Sequence, residues 1–245
     1  LSAFALTDHD TLGGIAEAEL AARAAKLRLV AGVELSVHQG TDEVHLLGLH
    51  IRDVDAMQQR LELYRDRRRD RAVEIVAKLA AVGVPVQLDA VLAAAAGGAI
   101  GRPHVAQVMV TRGYVKSVRE AFDKYLHAGG SANVPRKRLT PAEAVAIIRR
   151  ARGVPVLAHP GLAGRDDMIP ELVQAGLLGI ETYYPEHSGA QTAAYREMCK
   201  KLGLVATGGS DYHGPQIGKA SAPGTPPIPL RVWEELRAKA EQLRA

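Results

Sequence analysis

The chain has little aromatic character and almost no thiol chemistry. Phe, Trp and Tyr make up only 4% of its 245 residues. Stacking on nucleic-acid bases is therefore a poor candidate for its main binding mode, and the core must rest on Leu, Val, Ile and Ala. A single cysteine, Cys199, excludes an internal disulfide and a thiolate-built structural zinc site, and it fits a reducing, cytoplasmic setting. No apolar run approaches the roughly 20 residues that a bilayer-spanning helix needs, so no membrane partner is expected. Charge of one sign is not in large excess: 31 Lys and Arg against 27 Asp and Glu give a net charge of +4. That balance fits a phosphate-bearing ligand without demanding one.

Short apolar runs that end in polar or glycine-rich turns recur along the chain. They are "SAFALTDHD", "LRLVAGVELS", "EVHLLGLHI", "GVPVLAHPG", "GLLGIETYYPEHS" and "LGLVATGGSDYHG". Amphipathic stretches separate several of them. "TPAEAVAIIRRARG" and "SGAQTAAYREMCKKLG" start after Thr or Ser and end in Gly, as capped helices do. Strands alternating with helices predict a parallel sheet with right-handed crossovers. Between residues 53 and 138 the alternation stops, and four helical patterns follow one another without a clear strand. The expected organisation is an α/β domain from residues 1–52 and 139–245, with a helical insertion or cap at 53–138. The run "RDRRRDR" in the insertion reads most simply as a solvated helix face, with a contact to phosphate as the sharper alternative.

Acids and imidazoles collect where the strands end. His9 follows the first strand, Glu34 the second, His159 a later one, and Asp211 with His213 the last, while His45 lies within the third. In parallel sheets and barrels the C-terminal strand ends form one face, so residues far apart in sequence can converge there. Imidazole with carboxylate suits Zn²⁺, Mn²⁺ or Fe²⁺, and a carboxylate such as Glu34 can bridge two ions. Each of these histidines taken alone is more simply a hydrogen-bonded structural residue. His38, His50 and His127 fall outside the set and are expected to be structural or superficial.

In this order, "ALTDHDT", "AGVELS", "VHLLGLHI", "GRPHVA", "VLAHPG", "GIETYYPEHS" and "TGGSDYHG" resemble the polymerase and histidinol phosphatase (PHP) family. Within it the chain is most similar to the small metal-dependent phosphoesterases that act on nucleoside 3′,5′-bisphosphates or trim short RNA from the 5′ end. The resemblance implies a distorted (β/α)₇ barrel of the TIM type with a helical insertion. It implies two or three divalent ions, Mn²⁺ first with Zn²⁺ or Fe²⁺ also compatible. His9, Glu34, His45, His159, Asp211 and His213 match metal ligands, and His9, Glu34 and Asp211 are the residues expected to carry catalysis. Asp8 is expected to orient a ligating imidazole. Arg102 and His104 of "GRPH" open a helix of the insertion and are expected to bind substrate phosphate, with metal ligation as an alternative for His104. Glu181 and His187 are expected at the pocket, as substrate contacts or as its polar rim.

The implied activity is hydrolysis of a phosphate ester by metal-activated water, on a small phosphorylated nucleotide or a short RNA end, with no obligate protein partner. The alternatives are a histidinol-phosphate phosphatase and a non-catalytic metal-binding module. The family's first motif, a His-x-His strand followed by an Asp, has no counterpart here, so a further strand is expected upstream of Leu1.

Overall fold

The computed structural model describes residues 1–40, 42–95, 100–134, 139–214 and 222–243, without the side chains of residues 65–67. The first element is β1 (Ala3–Leu6), followed by α1 (Ile15–Ala24), β2 (Arg28–Ala31), β3 (Val33–Gln39) and β4 (Asp42–Leu49). Then come the long α2 (Val54–Ala81), α3 (Leu88–Ala94), α4 (Arg102–Thr111) and α5 (Val118–Ala121), which runs on as a π-helical turn, Phe122–Leu126. The chain continues through α6 (Pro141–Arg150), β5 (Val154–Leu157), α7 (Pro160–Ala163), α8 (Ile169–Ala175), β6 (Gly179–Tyr183), α9 (Gly189–Leu202), β7 (Val205–Gly208) and α10 (Leu230–Gln242). Contacts divide it into two units, Leu1–Gln59 with Arg138–Ala245, and Arg60–Lys137.

The first unit holds all the described strands. β1 and β2 pair in parallel, and β3-β4-β5-β6-β7 form a second sheet in that order. A single parallel bridge between His9 and Glu34 continues the β1–β2 pairing into β3. The stretch "LRLVAGVELS" is therefore two strands broken at Gly32. Only glycine fits there: a Cβ on Gly32 would lie 2.8 Å from Thr7 Cγ2, 3.0 Å from the Gly48 carbonyl and 3.1 Å from that of Leu6.

The expectation of an all-parallel, closed barrel is corrected on two points. The described strands form two sheets that do not close, and β4 runs antiparallel to both β3 and β5. The reason is local. Gln39 pairs with Asp42, leaving only two residues to connect the strands, and Gly40 adopts φ +64°. A parallel pair needs a crossover of about a dozen residues, which this connection cannot supply. β5, β6 and β7 are parallel, as the interposed helices require.

Burial follows the pattern of a sheet covered on both faces. Val33, Leu35, Val37, Leu46, Val154, Val156 and Ile180 are fully buried. Val232, Leu236 and Ala240 of α10 pack against Val30, Leu47, Leu49, Val154, Val156 and Val205. Each large aliphatic side chain so buried contributes about 1.5–3 kcal/mol. The helix ends are set as the sequence requires at α9, where Ser188 and Gln191 form a reciprocal capping box and Gly203 closes the helix at φ +67°. α6 begins with the same device, Thr140 with Glu143, but ends differently. Arg152, not Gly153, takes the left-handed position at φ +54°, and its guanidinium bonds Asp53, Nε to Oδ2 at 2.9 Å. Gly153 is required by packing, because a Cβ there would lie 2.4 Å from Ile51 Cδ1.

The second unit is helical in its described residues. Its core gathers Ile75 and Leu79 of α2, Val91 of α3, Val105, Val108 and Met109 of α4, and Leu126. After α5 the helical spacing widens: the His127 N–H reaches back to the Phe122 carbonyl at 2.9 Å, a spacing of five residues.

Candidate metal centre

The β3–β4 hairpin supplies the first pair of donors. Glu34 is in register with Leu47, and Ser36 with His45, so Glu34 and His45 are diagonal neighbours on one face of the hairpin. Glu34 Oε1 lies 2.7 Å from His45 Nδ1. His159, just past β5, brings Nε2 to 3.2 Å from the same oxygen and 3.3 Å from His45 Nδ1. Three donor atoms thus form a triangle with edges of 2.7, 3.2 and 3.3 Å. Ligands held about 2.0–2.2 Å from a tetrahedral divalent ion are separated by roughly 3.3 Å, so the donor set fits such an ion. The second Glu34 oxygen faces elsewhere, Oε2 lying 3.6 Å from His9 Nε2. Donor atoms of His9, Glu34 and His45 all fall within 4.8 Å of one another. One buried carboxylate therefore presents separate oxygens to separate imidazoles, the arrangement needed to serve two ions.

Electrostatics agree with the geometry. Burial would raise the Glu34 carboxyl, but hydrogen bonds from His159 and His45 and the charge of His9 hold it well below the usual carboxylate range. Burial disfavours protonated His45, yet Glu34 and Glu43 outweigh it and raise the imidazole.

The last strand brings the remaining two predicted ligands alongside. The His213 ring centroid is 5.9 Å from that of His9. His213 Nδ1 lies 2.8 Å from the Asp211 carbonyl and 3.4 Å from Asp211 Oδ1. Asp211 Oδ2 accepts a hydrogen bond from the Tyr184 hydroxyl at 2.9 Å. Asp211 and His159 both hold left-handed backbone, φ +48° and +24°, unusual for residues other than glycine.

Other predicted site residues are placed differently from expectation. Among the described residues no hydrogen bond joins the Asp8 carboxylate to an imidazole; a Cβ on Gly14 would sit 3.0 Å from Asp8 Oδ2. Asp10 is the acid that ties the end of β1 down, accepting from the Ser36 N–H at 3.2 Å. His187 has both ring nitrogens on backbone, Nδ1 at 3.1 Å from the Thr182 carbonyl and Nε2 accepting from the Gly161 N–H at 3.2 Å. Neither is left for a substrate phosphate. Glu181 is not a rim residue: it is only 5% exposed, and Oε2 accepts the backbone N–H of His159 at 2.9 Å. Burial pushes its carboxyl up to about 7, with that N–H opposing the shift.

Arg102 and His104 belong to the helical unit. Arg102 donates from Nη1 to the Leu126 carbonyl at 2.8 Å and lies over the Phe122 ring. His104 Nδ1 accepts the Gly101 N–H at 3.1 Å, capping α4. Arg68, Arg71 and Arg102 line one concavity of this unit with Ile75, Gly101 and Val105. The sequence patterns did not single out Glu43, whose carboxylate lies 3.6 Å from both His45 Nε2 and His38 Nε2, or Tyr184. Glu43 faces His38 in the hairpin register, a signal that appears only once the hairpin is recognised. His38 is buried, not superficial. Among the described residues no helix is long and apolar enough to cross a membrane.

No protein-family model matches the chain. The chain is 36% identical to the 3′,5′-nucleoside bisphosphate phosphatase of Chromobacterium violaceum, over 96% of its own length and 86% of that protein. It is 32% identical to a 5′-3′ exoribonuclease of Haemophilus influenzae, over 96% of its length and 88% of the relative. Among solved structures, a candidate metal-dependent phosphoesterase from Bifidobacterium adolescentis superimposes with a TM-score of 0.66 at 27% identity, covering 98% of this chain and 86% of that one. A cluster of imidazoles around one carboxylate, on a chain this close to hydrolytic phosphoesterases, leaves little room for another class: the chain belongs to the metal-dependent phosphoesterase family that these relatives represent.

Proposed function

We propose that the chain is a PHP-family enzyme that removes phosphate from a nucleoside 3′,5′-bisphosphate, or nucleotides from the 5′ end of a short RNA. The observation that carries this reading is Glu34, whose two oxygens face different imidazoles, Oε1 toward His45 and His159 and Oε2 toward His9. His9, Glu34, His45, His159, Asp211 and His213 are the proposed ligands of two or three divalent ions, with Mn²⁺ favoured. Such ions, when bound, supply positive charge for phosphoryl oxygens and a water made acidic enough to attack at neutral pH. The chain's own residues do the rest. Glu34 sets the spacing of the imidazoles, with Oε1 facing His45 and His159 and Oε2 facing His9. His9, the most exposed of the imidazoles that flank Glu34 at 43%, stands where a substrate can approach. The Arg102 N–H groups not engaged by Leu126 are the proposed grip on a substrate phosphate. The names of the relatives support a nucleotide substrate, and a cytoplasmic site of action is consistent with the lone, buried Cys199.

The test is substrate preference in the presence of Mn²⁺. The reading expects phosphate release from adenosine 3′,5′-bisphosphate and little from histidinol phosphate. The reverse preference would assign the chain to histidinol-phosphate hydrolysis, and metal binding without turnover of either ester or of a short 5′-phosphorylated RNA would make it a non-catalytic module.

A further inference from the structure

Strand β6 contributes none of the six proposed ligands, yet it lies between the two strands that lead to three of them. β5, which precedes His159, and β7, which precedes Asp211 and His213, flank it in the sheet. Two side chains at the end of β6 reach the loops that carry these ligands. Glu181, buried, accepts the backbone N–H of His159 with Oε2 at 2.9 Å. Tyr184, one residue past the strand, donates its hydroxyl to Asp211 Oδ2 at 2.9 Å, and its ring stands 5.4 Å from that of His159. We infer that Glu181 and Tyr184 are positioning residues, which fix the backbone of His159 and the carboxylate of Asp211 so that ligands from two different loops meet one ion cluster.

Three features make these contacts more than packing. His159 and Asp211 both hold left-handed backbone, at φ +24° and +48°. Non-glycine residues keep such a conformation only when their surroundings over-determine it. The Glu181 bond falls on the backbone N–H of one of these residues, and the Tyr184 bond on the side chain of the other. Second, space is cleared for the Glu181 carboxylate: a Cβ on Gly209, in the loop that leads to Asp211, would lie 2.5 Å from Oε1. Glu181 is thus wedged between the loop after β5 and the loop after β7. Third, the Tyr184 bond uses one Asp211 oxygen and leaves the other, Oδ1, turned toward His213 Nδ1 at 3.4 Å. Outer groups that orient ligands in this way govern affinity for the ion without touching it.

The inference rests on the metal-centre reading above, and one experiment separates the two. Chelator-stripped protein is titrated with MnCl₂ by calorimetry, as the unsubstituted chain and as Tyr184→Phe, Glu181→Ala and Glu181→Gln, with thermal melts of each stripped protein alongside. Tyr184→Phe keeps the ring and loses only the hydroxyl; its Mn²⁺ affinity should fall about tenfold, and that of Glu181→Ala by roughly ten- to a hundredfold. Glu181→Gln keeps an acceptor for the His159 N–H and should stay within about threefold of the unsubstituted chain. A purely structural role would lower the melting temperatures of the stripped variants and leave Mn²⁺ affinity unchanged. If the unsubstituted chain binds Mn²⁺ and Tyr184→Phe and Glu181→Ala bind it equally well, the positioning role is overturned while the metal centre stands. If the unsubstituted chain binds none, the metal centre falls and the positioning role falls with it.

Discussion

Glu34 Oε1 lies 2.7 Å from His45 Nδ1, across a hairpin whose turn is only two residues long. The antiparallel register makes the two residues diagonal neighbours on one face. His159, arriving from β5 on the far side of β4, completes the triangle. A buried carboxylate among imidazoles is costly unless cations share the space. Here it has two neighbours within 3.2 Å of Oε1 and a third within 3.6 Å of Oε2.

Glu34→Gln should therefore be among the most damaging single changes to the site. It keeps the shape and removes the charge, and an amide nitrogen cannot replace the second donor oxygen. Mn²⁺ bound per chain, measured by atomic emission after gel filtration, should fall by at least one ion, and hydrolysis should drop by about two orders of magnitude or more. Full metal content with near-normal turnover would remove Glu34 from the centre.

His159→Ala and Asp211→Ala should each abolish hydrolysis. Each takes away one donor, and places alanine where the backbone past β5 or β7 is left-handed. Near-normal turnover with intact metal content in either variant would strike that residue from the ligand set.

Arg102→Lys should raise KM for the phosphate ester severalfold and leave metal content unchanged. Lysine keeps the charge but loses the planar fork that grips two oxygens. It also loses the bond from Arg102 Nη1 to the Leu126 carbonyl, so a stability cost of about 1 kcal/mol is expected in the same variant. If the change strips metal instead, Arg102 supports the ion centre and not the substrate.

Much of this centre is legible in the sequence because strand ends on one face of a sheet are a strong spatial constraint. His9, Glu34 and His159 each follow a short apolar run, which lets them converge, and the resemblance of the ordered motifs is what implies that they are ligands. What the runs do not encode is direction. Without a turn signature beyond Gly40, the β3–β4 connection reads as one more crossover, and the antiparallel pairing that brings His45 to Glu34 goes unseen. Second contacts are harder still. Asp8 and Asp10 flank the same histidine, and only the left-handed backbone of Asp10, φ +54°, shows which of the two turns back to bond Ser36. Glu181 and His187 share one motif with Tyr184, yet they bond backbone groups that no residue pattern can reveal.

Gly32→Ala should destabilise the chain although the residue bears no functional group. Its Cβ would meet Thr7 Cγ2 at 2.8 Å and the Gly48 carbonyl at 3.0 Å, between β1 and β4. Overpacking of this kind costs about 1–3 kcal/mol, which for a chain of this size lowers the melting temperature by roughly 2–4 °C per kcal/mol. Pushing β1 away also moves His9 from Glu34, so Mn²⁺ affinity should weaken with it. A melting temperature and an affinity equal to those of the unsubstituted chain would show that β1 has room to shift.

The most direct test of the central claim is phosphate release from adenosine 3′,5′-bisphosphate, measured on the chain stripped by chelation, on the same sample restored with Mn²⁺, and on Glu34→Gln treated identically. A hydrolytic centre organised by Glu34 predicts release only from the restored, unsubstituted chain. Release that survives chelation, or that Glu34→Gln matches after restoration, would contradict it.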